Sequence, residues 1–212
     1  MTKIFDSKIS KYNFNNDKIN IKVISSLNKK KILVIGQVDD DASLKLGGNG
    51  FNNLKLLESV KKSNPDSYIV YKPHPDVVAG NRKGNIPINI VRDYCNLYLQ
   101  DIDIHVLISL VDEVHTITSL AGFEALLQGK KVFTYGKPFY AGWGLTQDIF
   151  YDYRKKRKLS LEELVAGVLL IYPRYIDPIN FEYCSPELLI DRLSNKNHLL
   201  DKFFILKVFY KI

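Results

Sequence analysis

The chain has few cysteines, and it lacks the patterns that would commit them to a disulfide framework or a zinc site. Its 212 residues contain only Cys95 and Cys184, which lie far apart and form no CxxC pair. The histidines His105, His115 and His198 show no metal-ligand spacing. We therefore expect reduced thiols, and structural roles for His105 and His115.

Long apolar runs are also missing. No stretch approaches the roughly 20 residues that span a bilayer, and the start, Met1-Thr2-Lys3, lacks the apolar core of a signal peptide. We expect a cytoplasmic protein whose contact with the inner membrane is at most peripheral. The tail, residues 199–212, mixes large apolar side chains with lysines, which suits either an anionic membrane surface or packing against the domain itself.

The charge is unbalanced in favour of bases. Thirty Lys and Arg stand against 23 Asp and Glu, for a net charge of +7, which favours anionic partners. The basic run Arg154 to Lys158 is not interleaved with aromatic residues in a recognisable nucleic-acid motif, so no nucleic-acid partner is expected.

Apolar runs alternate with helical periodicity. Lys31 to Gly36 predicts a buried parallel strand, Phe51 to Lys62 a helix, and Ser67 to Tyr71 a second strand, with a loop at residues 37–50. A long loop is expected after the second strand and another at residues 136–146. The later predicted elements are a helix at Ile102 to Leu110, a strand at Glu113 to Thr118, a helix at Ser119 to Gln128, a strand at Lys131 to Tyr135 and a capped helix from Ser160. This alternation predicts an α/β fold with a Rossmann-like, doubly wound parallel sheet.

The domain organisation follows from the same patterns. Residues 1–30 are rich in Asn, Lys and Ser and predict a loose lead-in with one strand near Ile19 to Val23. Residues 31–195 form the Rossmann-like domain, and residues 196–212 form the apolar and basic tail.

Polar residues follow three of the predicted strands. Gln37, Asp39 and Asp41 come after the first strand, whereas Lys72 and His74 come after the second, where two prolines stiffen the turn. Because the carboxyl ends of parallel strands share one edge of the sheet, these groups should line one crevice. A solvated histidine in an ordinary proline turn is the plainer interpretation of His74.

The third strand leads directly into a helix. Thr118 and Ser119 can cap that helix, whose first N–H groups and positive dipole end favour an anion, and Gly122 permits close approach. We expect a phosphate to bind at this helix N-terminus. The simpler alternative is that Ser119 is an ordinary N-cap and binds no ligand.

The acidic run also suits a metal. Asp39 and Asp41 form a D-x-D pair of the kind that holds Mg²⁺ on a nucleotide diphosphate. No further carboxylate or histidine cluster completes a coordination set, so a metal or other cofactor is not expected.

Several segments resemble the bacterial capsule polysaccharide β-Kdo transferases, enzymes that add the 2-keto acid sugar Kdo from CMP-Kdo to a lipid-linked Kdo primer. The resemblance covers roughly residues 31–194. It rests on GQVDDDAS (36–43), YKPHPDVVAGNRKG (71–84), HTITSLAGFEALLQG (115–129), YGKPFYAGWGLT (135–146), LVAGVLLIYPRYIDP (164–178) and CSPELLIDRL (184–193).

The resemblance implies a GT-B glycosyltransferase of capsular polysaccharide biosynthesis and export, in which this chain supplies the donor-binding half and a separate chain is the candidate source of the acceptor domain. It makes Asp41 the nucleophile of a retaining reaction, with Asp39 as the alternative nucleophile, and His74 a second catalytic residue. The implied donor-binding residues are Gln37, Asp39, Lys72, Thr118, Ser119, Leu120, Gly122 and Glu124. A truncated, inactive fragment and a non-catalytic nucleotide- or glycan-binding module remain open as alternatives.

Overall fold

The computed structural model describes residues 24–25, 27–150 and 157–194. The chain divides into a main unit, residues 14–161, and a second unit made of residues 1–13 and 162–212. The predicted strand near Ile19 to Val23, most of the basic run and the tail lie outside the described residues.

The described part of the main unit is built on one parallel sheet of six strands. Their order across the sheet is β3-β2-β1-β4-β5-β6, and every adjacent pair is parallel. The strands are β1 (Lys31–Ile35), β2 (Tyr68–Lys72), β3 (Leu97–Tyr98), β4 (Glu113–Thr116), β5 (Lys131–Thr134) and β6 (Gln147–Asp148). The predicted α/β, Rossmann-like fold is therefore confirmed.

Strand β1 holds the centre of the sheet because its apolar run is buried on both faces. Its residues after Lys31 are buried, and it pairs with β2 on one edge and β4 on the other. The chain moves outward from β1 through β2 to β3, then returns to the other side of β1 to make β4. This reversal creates a crevice at the carboxyl ends of β1 and β4, where ligands bind in such sheets.

Six helices connect the described strands of the main unit. They are α1 (Ala42–Gly47), α2 (Asn53–Ser63), α3 (Pro75–Val78), α4 (Ile88–Tyr94), α5 (Ile104–Leu110) and α6 (Leu120–Leu127). The predicted helices correspond to α2, α5 and α6. Leu56, Leu57 and Val60 of α2 pack into the core beneath the sheet.

Two segments predicted as loops contain regular structure. Residues 37–50 include α1, which buries Leu44 and is too short for its periodicity to be visible. The long loop after β2 includes α3, α4 and β3. In α3, Pro75 occupies the first turn, where its missing N–H costs nothing. Pro75, which indicated a turn in the sequence, is thus the first residue of a short helix.

The described part of the second unit is small. Helix α7 (Leu161–Val165) leads into a π-helix, Ala166–Ile171, then a β7–β8 hairpin (Tyr175–Ile176 and Tyr183–Cys184) and α8 (Pro186–Ser194). Helix α7 begins one residue after the predicted start at Ser160. Among the described residues, no helix is both long and apolar enough to cross a membrane.

A charged cluster lies at the amino end of β4. Glu113 is buried and lies 2.8 Å from Lys30 Nζ, 3.3 Å from Lys131 Nζ and 3.5 Å from His115 Nε2. Burial acts to raise the pKa of Glu113, but hydrogen bonds from both lysines outweigh it and the pKa is lowered. Burial lowers the pKa of His115 to about 4.

His115 has the structural role expected from the sequence. Its Nδ1 lies 3.1 Å from the Tyr135 hydroxyl, and its ring stacks on Phe133 with centroids 4.3 Å apart. The neutral ring therefore belongs to the core, on a strand whose opposite end leads into the crevice.

Acid should destabilise the domain through His115. In the unfolded chain the His115 imidazole takes up a proton near pH 6.5, whereas in the folded chain it does so only near pH 4. The free energy of unfolding therefore decreases as the pH falls between these two values. The lowered pKa of Glu113 acts in the same direction, because its stabilisation is lost once it is protonated. When the pH falls from 7 to 5, the free energy of unfolding of His115→Gln should decrease by about 2 kcal/mol less than that of wild type. Urea unfolding at the two pH values measures this difference. An equal loss in the variant would contradict this assignment.

Candidate functional site

The polar loops after β2, β1 and β4 emerge side by side. The Gly36 N–H donates to the Lys72 carbonyl at 2.8 Å, so the chains that leave β1 and β2 run together. A Cβ at Gly36 would lie 2.6 Å from the Tyr71 hydroxyl and 2.9 Å from Pro73 Cα. Glycine is therefore required where the loop that carries Gln37 passes the loop that carries His74.

Gln37 joins the loop after β1 to the loop after β4. Its Oε1 accepts from the Thr118 N–H at 2.8 Å and its Nε2 donates to Thr118 Oγ1 at 2.9 Å. Its backbone is held by Asn53, which accepts from the Gln37 N–H at 2.8 Å and donates to the Gln37 carbonyl at 2.7 Å. Both groups of the buried Gln37 amide are thus engaged in shaping the crevice.

Asp41 caps helix α1 and extends this network. Its Oδ1 accepts from the Ser43 N–H at 2.8 Å and from Ser43 Oγ at 2.6 Å. Ser43 Oγ in turn lies 3.2 Å from Thr118 Oγ1. A continuous chain of hydrogen bonds therefore links Asp41 through Ser43 and Thr118 to Gln37.

The remaining acidic residues of this loop face a basic segment. Arg82 donates to Asp40 Oδ1 at 2.9 and 3.0 Å, and the Asp39 N–H donates to the Lys83 carbonyl at 2.9 Å. The pKa of Asp40 is lowered by its hydrogen bond to Arg82. The pKa of Asp39 is raised, first by burial and then by Asp40, although the residue as a whole is exposed and solvent weakens both effects. Asp39 and Asp41 therefore occupy different electrostatic environments.

His74 is fixed by its own backbone. It caps α3, and its Nδ1 accepts from the Asp76 N–H at 3.1 Å. Asp76 Oδ2 lies 3.8 Å from the same nitrogen, but a nitrogen that accepts from an N–H carries no proton to donate to a carboxylate. The hydrogen bond therefore assigns the proton of the neutral ring to Nε2.

Lys72 reaches toward β3. The residue is buried, and its Nζ donates to the Gln100 carbonyl at 2.8 Å, in the loop that follows β3. The structure thus places Lys72 at the predicted edge of the sheet, where it holds the loop that leads to Asp103 and α5.

The N-terminus of α6 lies at the end of β4. Ser119 Oγ accepts from the Ala121 N–H at 3.2 Å, and the Ser119 N–H donates to Thr116 Oγ1 at 3.2 Å. Within the described residues, the Leu120 N–H has no hydrogen-bond acceptor and its side chain is exposed. Leu120 can therefore offer an N–H to an anion at the positive end of the helix.

Gly122 makes room for a side chain of the protein. A Cβ at this position would lie 2.9 Å from Thr116 Cγ2 and would overlap the Tyr140 hydroxyl, which donates to the Ser119 carbonyl at 2.5 Å. Tyr140, which sequence reasoning did not single out, thus fills the space beside Gly122, where the sequence predicted the close approach of an anion.

Glu124 lies one turn further along α6, in a different environment. Its pKa is raised by burial and by Asp103, while His105 opposes the shift. These two neighbours belong to the segment that begins α5, so Glu124 faces α5 and is not part of the Gln37 network. In the described residues, no group of three or more His, Cys, Asp or Glu side chains is arranged to hold a metal ion.

Comparison with known proteins identifies the family. The model of the capsule polysaccharide biosynthesis protein family matches residues 2–175, most of the chain. The chain belongs to this family. Two solved members of similar fold are Thermosulfurimonas dismutans KpsC proteins. The β Kdo 2,7 transferase is 42% identical with a TM-score of 0.73, and the β Kdo 2,4 transferase is 32% identical with a TM-score of 0.77.

The curated relatives that the chain matches are much longer proteins. LipA, a capsule polysaccharide modification protein of Neisseria meningitidis serogroup A, is 47% identical over 199 residues, covering 91% of this chain and 28% of LipA. LpsZ, a lipopolysaccharide-processing protein of Rhizobium meliloti, is 43% identical over 168 residues, covering 79% of this chain and 38% of LpsZ. Both KpsC matches cover 91% of this chain. They cover 64% of the β Kdo 2,7 transferase chain and 60% of the β Kdo 2,4 transferase chain.

One further residue that shapes this capsule-family site, Asn53, gave no signal in the sequence. Asn53 is buried and also donates to the Gly84 carbonyl at 2.9 Å, where Gly84 adopts a φ of 130°. In the sequence, Asn53 is an ordinary polar residue near the start of a predicted helix. Its role could be recognised only once the structure showed that the loops carrying Gln37 and Gly84 meet beside it.

Gln37→Leu should loosen the crevice. The substitution keeps the side chain close to its original size but leaves the buried Thr118 N–H without its acceptor, so we expect a loss of about 1–3 kcal/mol in unfolding free energy. Urea unfolding measures this loss. Gln147→Leu on the exposed β6 is the matched control and should change stability by no more than about 0.5 kcal/mol. Equal effects at both positions would contradict the proposed role of Gln37.

Proposed function

We propose that this chain forms the donor-binding half of a retaining β-Kdo transferase, which takes Kdo from CMP-Kdo and passes it to a lipid-linked Kdo acceptor. The observation that carries the proposal is the meeting of Asp41, His74 and the Ser119 N-cap at adjacent strand ends. The similarity to the two solved Kdo transferases supports this choice of sugar.

The leaving group is the phosphate of CMP, and the site offers donors suited to it. His74 Nε2–H and the Leu120 N–H are hydrogen-bond donors at the ends of β2 and β4, and the dipole of α6 adds positive potential. Ser119 Oγ lies at the same helix end. These groups would stabilise negative charge as the bond between Kdo and the phosphate breaks.

Asp41 would act at the sugar. In a double displacement its carboxylate attacks C2 of Kdo while the C2–O bond breaks and its electrons pass to the CMP phosphate. The acceptor hydroxyl then attacks C2 and gives its proton to the released CMP phosphate, while the C2–O bond to Asp41 breaks and its electrons return to the carboxylate, so two inversions retain the configuration. The hydrogen bonds from Ser43 fix the Asp41 carboxyl group in one orientation. Asp39 is the alternative nucleophile; its side chain is exposed, and the hydrogen bonds from Ser43 go to Asp41.

The remaining partners follow from this reaction. A separate polypeptide or a further domain would supply the acceptor site, and the lipid-linked acceptor would bring the protein to the inner face of the membrane. The proposed donor crevice lies within the described residues of the main unit.

CMP binding tests the donor site. We expect saturable CMP binding by calorimetry and much weaker binding of UDP. His74→Asn keeps a side-chain oxygen that can accept from the Asp76 N–H but removes Nε2, so it should weaken CMP binding about 10- to 100-fold. Arg92→Ala, on the exposed side of α4, should leave the affinity unchanged. Absence of CMP binding by the unmodified chain at millimolar concentration would refute the donor-site proposal.

Covalent trapping tests Asp41. After mixing with CMP-Kdo, intact-mass spectrometry should show an added Kdo residue on the chain, which peptide mapping places on Asp41. Asp41→Asn keeps a capping oxygen for α1, so it should bind CMP with an affinity within about twofold of wild type but form no Kdo adduct. A Kdo adduct on Asp41→Asn equal to that of wild type would remove the nucleophile assignment. Absence of an adduct on either protein would instead fit a nucleotide-binding module.

A further inference from the structure

The connection between α1 and α2 contains an Asn-Gly pair in a tight turn. The Phe51 N–H donates to the Gly48 carbonyl at 2.9 Å and closes a four-residue turn. The two central residues, Asn49 and Gly50, have φ values of 49° and 76°. Positive φ at both central positions is the pattern of a type I′ turn, which favours Asn followed by Gly. The turn therefore explains the backbone conformation of both residues.

Neither the Asn49 side chain nor the Gly50 N–H has a structural partner in the described part of the chain. Both residues are exposed. No hydrogen bond is made by the Asn49 amide group or by the Gly50 N–H within the described residues. A Cβ at Gly50 would meet no atom within 4 Å, so the space around the pair is open. An amide carbon and a neighbouring backbone nitrogen are thus both accessible.

An exposed Asn-Gly pair can lose ammonia without an enzyme. The Gly50 nitrogen gives its proton to base and attacks Asn49 Cγ. The new N–Cγ bond forms while the Cγ–Nδ2 bond breaks, and Nδ2 leaves as ammonia with a proton from water. Water then adds to either carbonyl carbon of the resulting succinimide ring and breaks its bond to the ring nitrogen, which gives aspartate or isoaspartate. Glycine favours the attack because it has no side chain to hinder it and rotates freely.

The neighbouring asparagines are held in ways that Asn49 is not. Asn49 is the one asparagine in the sequence that precedes a glycine. Asn52 caps α2 by accepting from the Lys55 N–H at 2.9 Å. Asn53 is buried, and its amide is hydrogen-bonded to Gln37. The reaction is therefore expected at position 49 rather than along the whole turn.

We propose that Asn49 is a site of spontaneous deamidation whose main product, isoaspartate, opens the turn between α1 and α2. Isoaspartate continues the chain through its side-chain methylene, so it inserts one extra atom into the backbone. The hydrogen bond from Phe51 to Gly48 closes a turn of fixed length and is lost when the turn becomes longer. This reaction needs no ligand and does not depend on the proposed function.

Opening of the turn affects more than the surface. The Phe51 ring packs against Tyr135 with centroids 5.5 Å apart. Two residues later, Asn53 holds the backbone of Gln37 through hydrogen bonds of 2.8 and 2.7 Å. A displacement of Phe51 therefore disturbs both the core contact and the support of the crevice, and the modified chain should be less stable.

Incubation of the whole chain in mildly alkaline buffer made with oxygen-18 water tests the proposal. Wild type should exchange one amide NH₂ for one labelled hydroxyl group, and the rate should increase with pH because the attacking nitrogen must lose its proton. Peptide mapping by mass spectrometry should place the label at residue 49. An isoaspartyl carboxyl methyltransferase should methylate the incubated chain and leave the fresh chain unmodified. The urea midpoint of the incubated chain should shift to a lower concentration.

Two variants serve as controls. Asn49→Gly tolerates the positive φ and has no amide to lose, so it should acquire no label at this position and should keep its urea midpoint. Asn49→Asp carries the new charge without the extra backbone atom, so its midpoint should stay closer to that of fresh wild type than to that of the incubated chain.

Either of two results would overturn the proposal. The first is an absence of label at residue 49 under conditions in which a synthetic peptide of residues 44–55 deamidates. The second is a chain that contains isoaspartate at position 49 and unfolds at the same urea concentration as fresh wild type.

Discussion

The crevice depends on the double hydrogen bond between the Gln37 amide and Thr118. Strands β1 and β4 are neighbours in space but are separated by about 80 positions in the chain, and nothing in a parallel sheet obliges the loops beyond their ends to stay together. A buried primary amide can donate and accept at once, so one side chain fixes the separation of the two loops. The hydrogen bonds between Gln37 and Thr118 therefore fix the position of Asp41 relative to Ser119.

Helix N-caps recur around the crevice. Asp41, His74, Asp103 and Ser119 cap α1, α3, α5 and α6, and each of these helices begins after the carboxyl end of a strand. The arrangement turns the positive ends of several helices toward one edge of the sheet. Asp41, His74 and Ser119 are predicted ligand contacts and are also helix N-caps. Only substitutions that preserve the cap can therefore separate an effect on ligand binding from an effect on stability.

The sequence was sufficient for the parts of the structure that depend on local patterns. Strand β1 was predictable because its apolar run is buried on both faces, and the Ser119 cap because a polar pair separates a strand from a helix. The direction of the Lys72 amine, toward Gln100, was not predictable, since it depends on where the loop after β3 runs. Within the described residues, His105 Nε2 is buried without a hydrogen-bond partner, which was likewise not predictable because it results from packing between α5 and α6.

The contact between Gly122 and Tyr140 links two positions that are 18 residues apart in the sequence. The phenol occupies the space that any side chain at position 122 would need, and it also donates to the Ser119 carbonyl. A larger residue at 122 is therefore compatible with the fold only if the residue at 140 shrinks, and a smaller residue at 140 removes a support of the α6 N-terminus. The two positions should consequently evolve as a pair, and an engineer who wishes to reshape this end of the crevice must redesign both together.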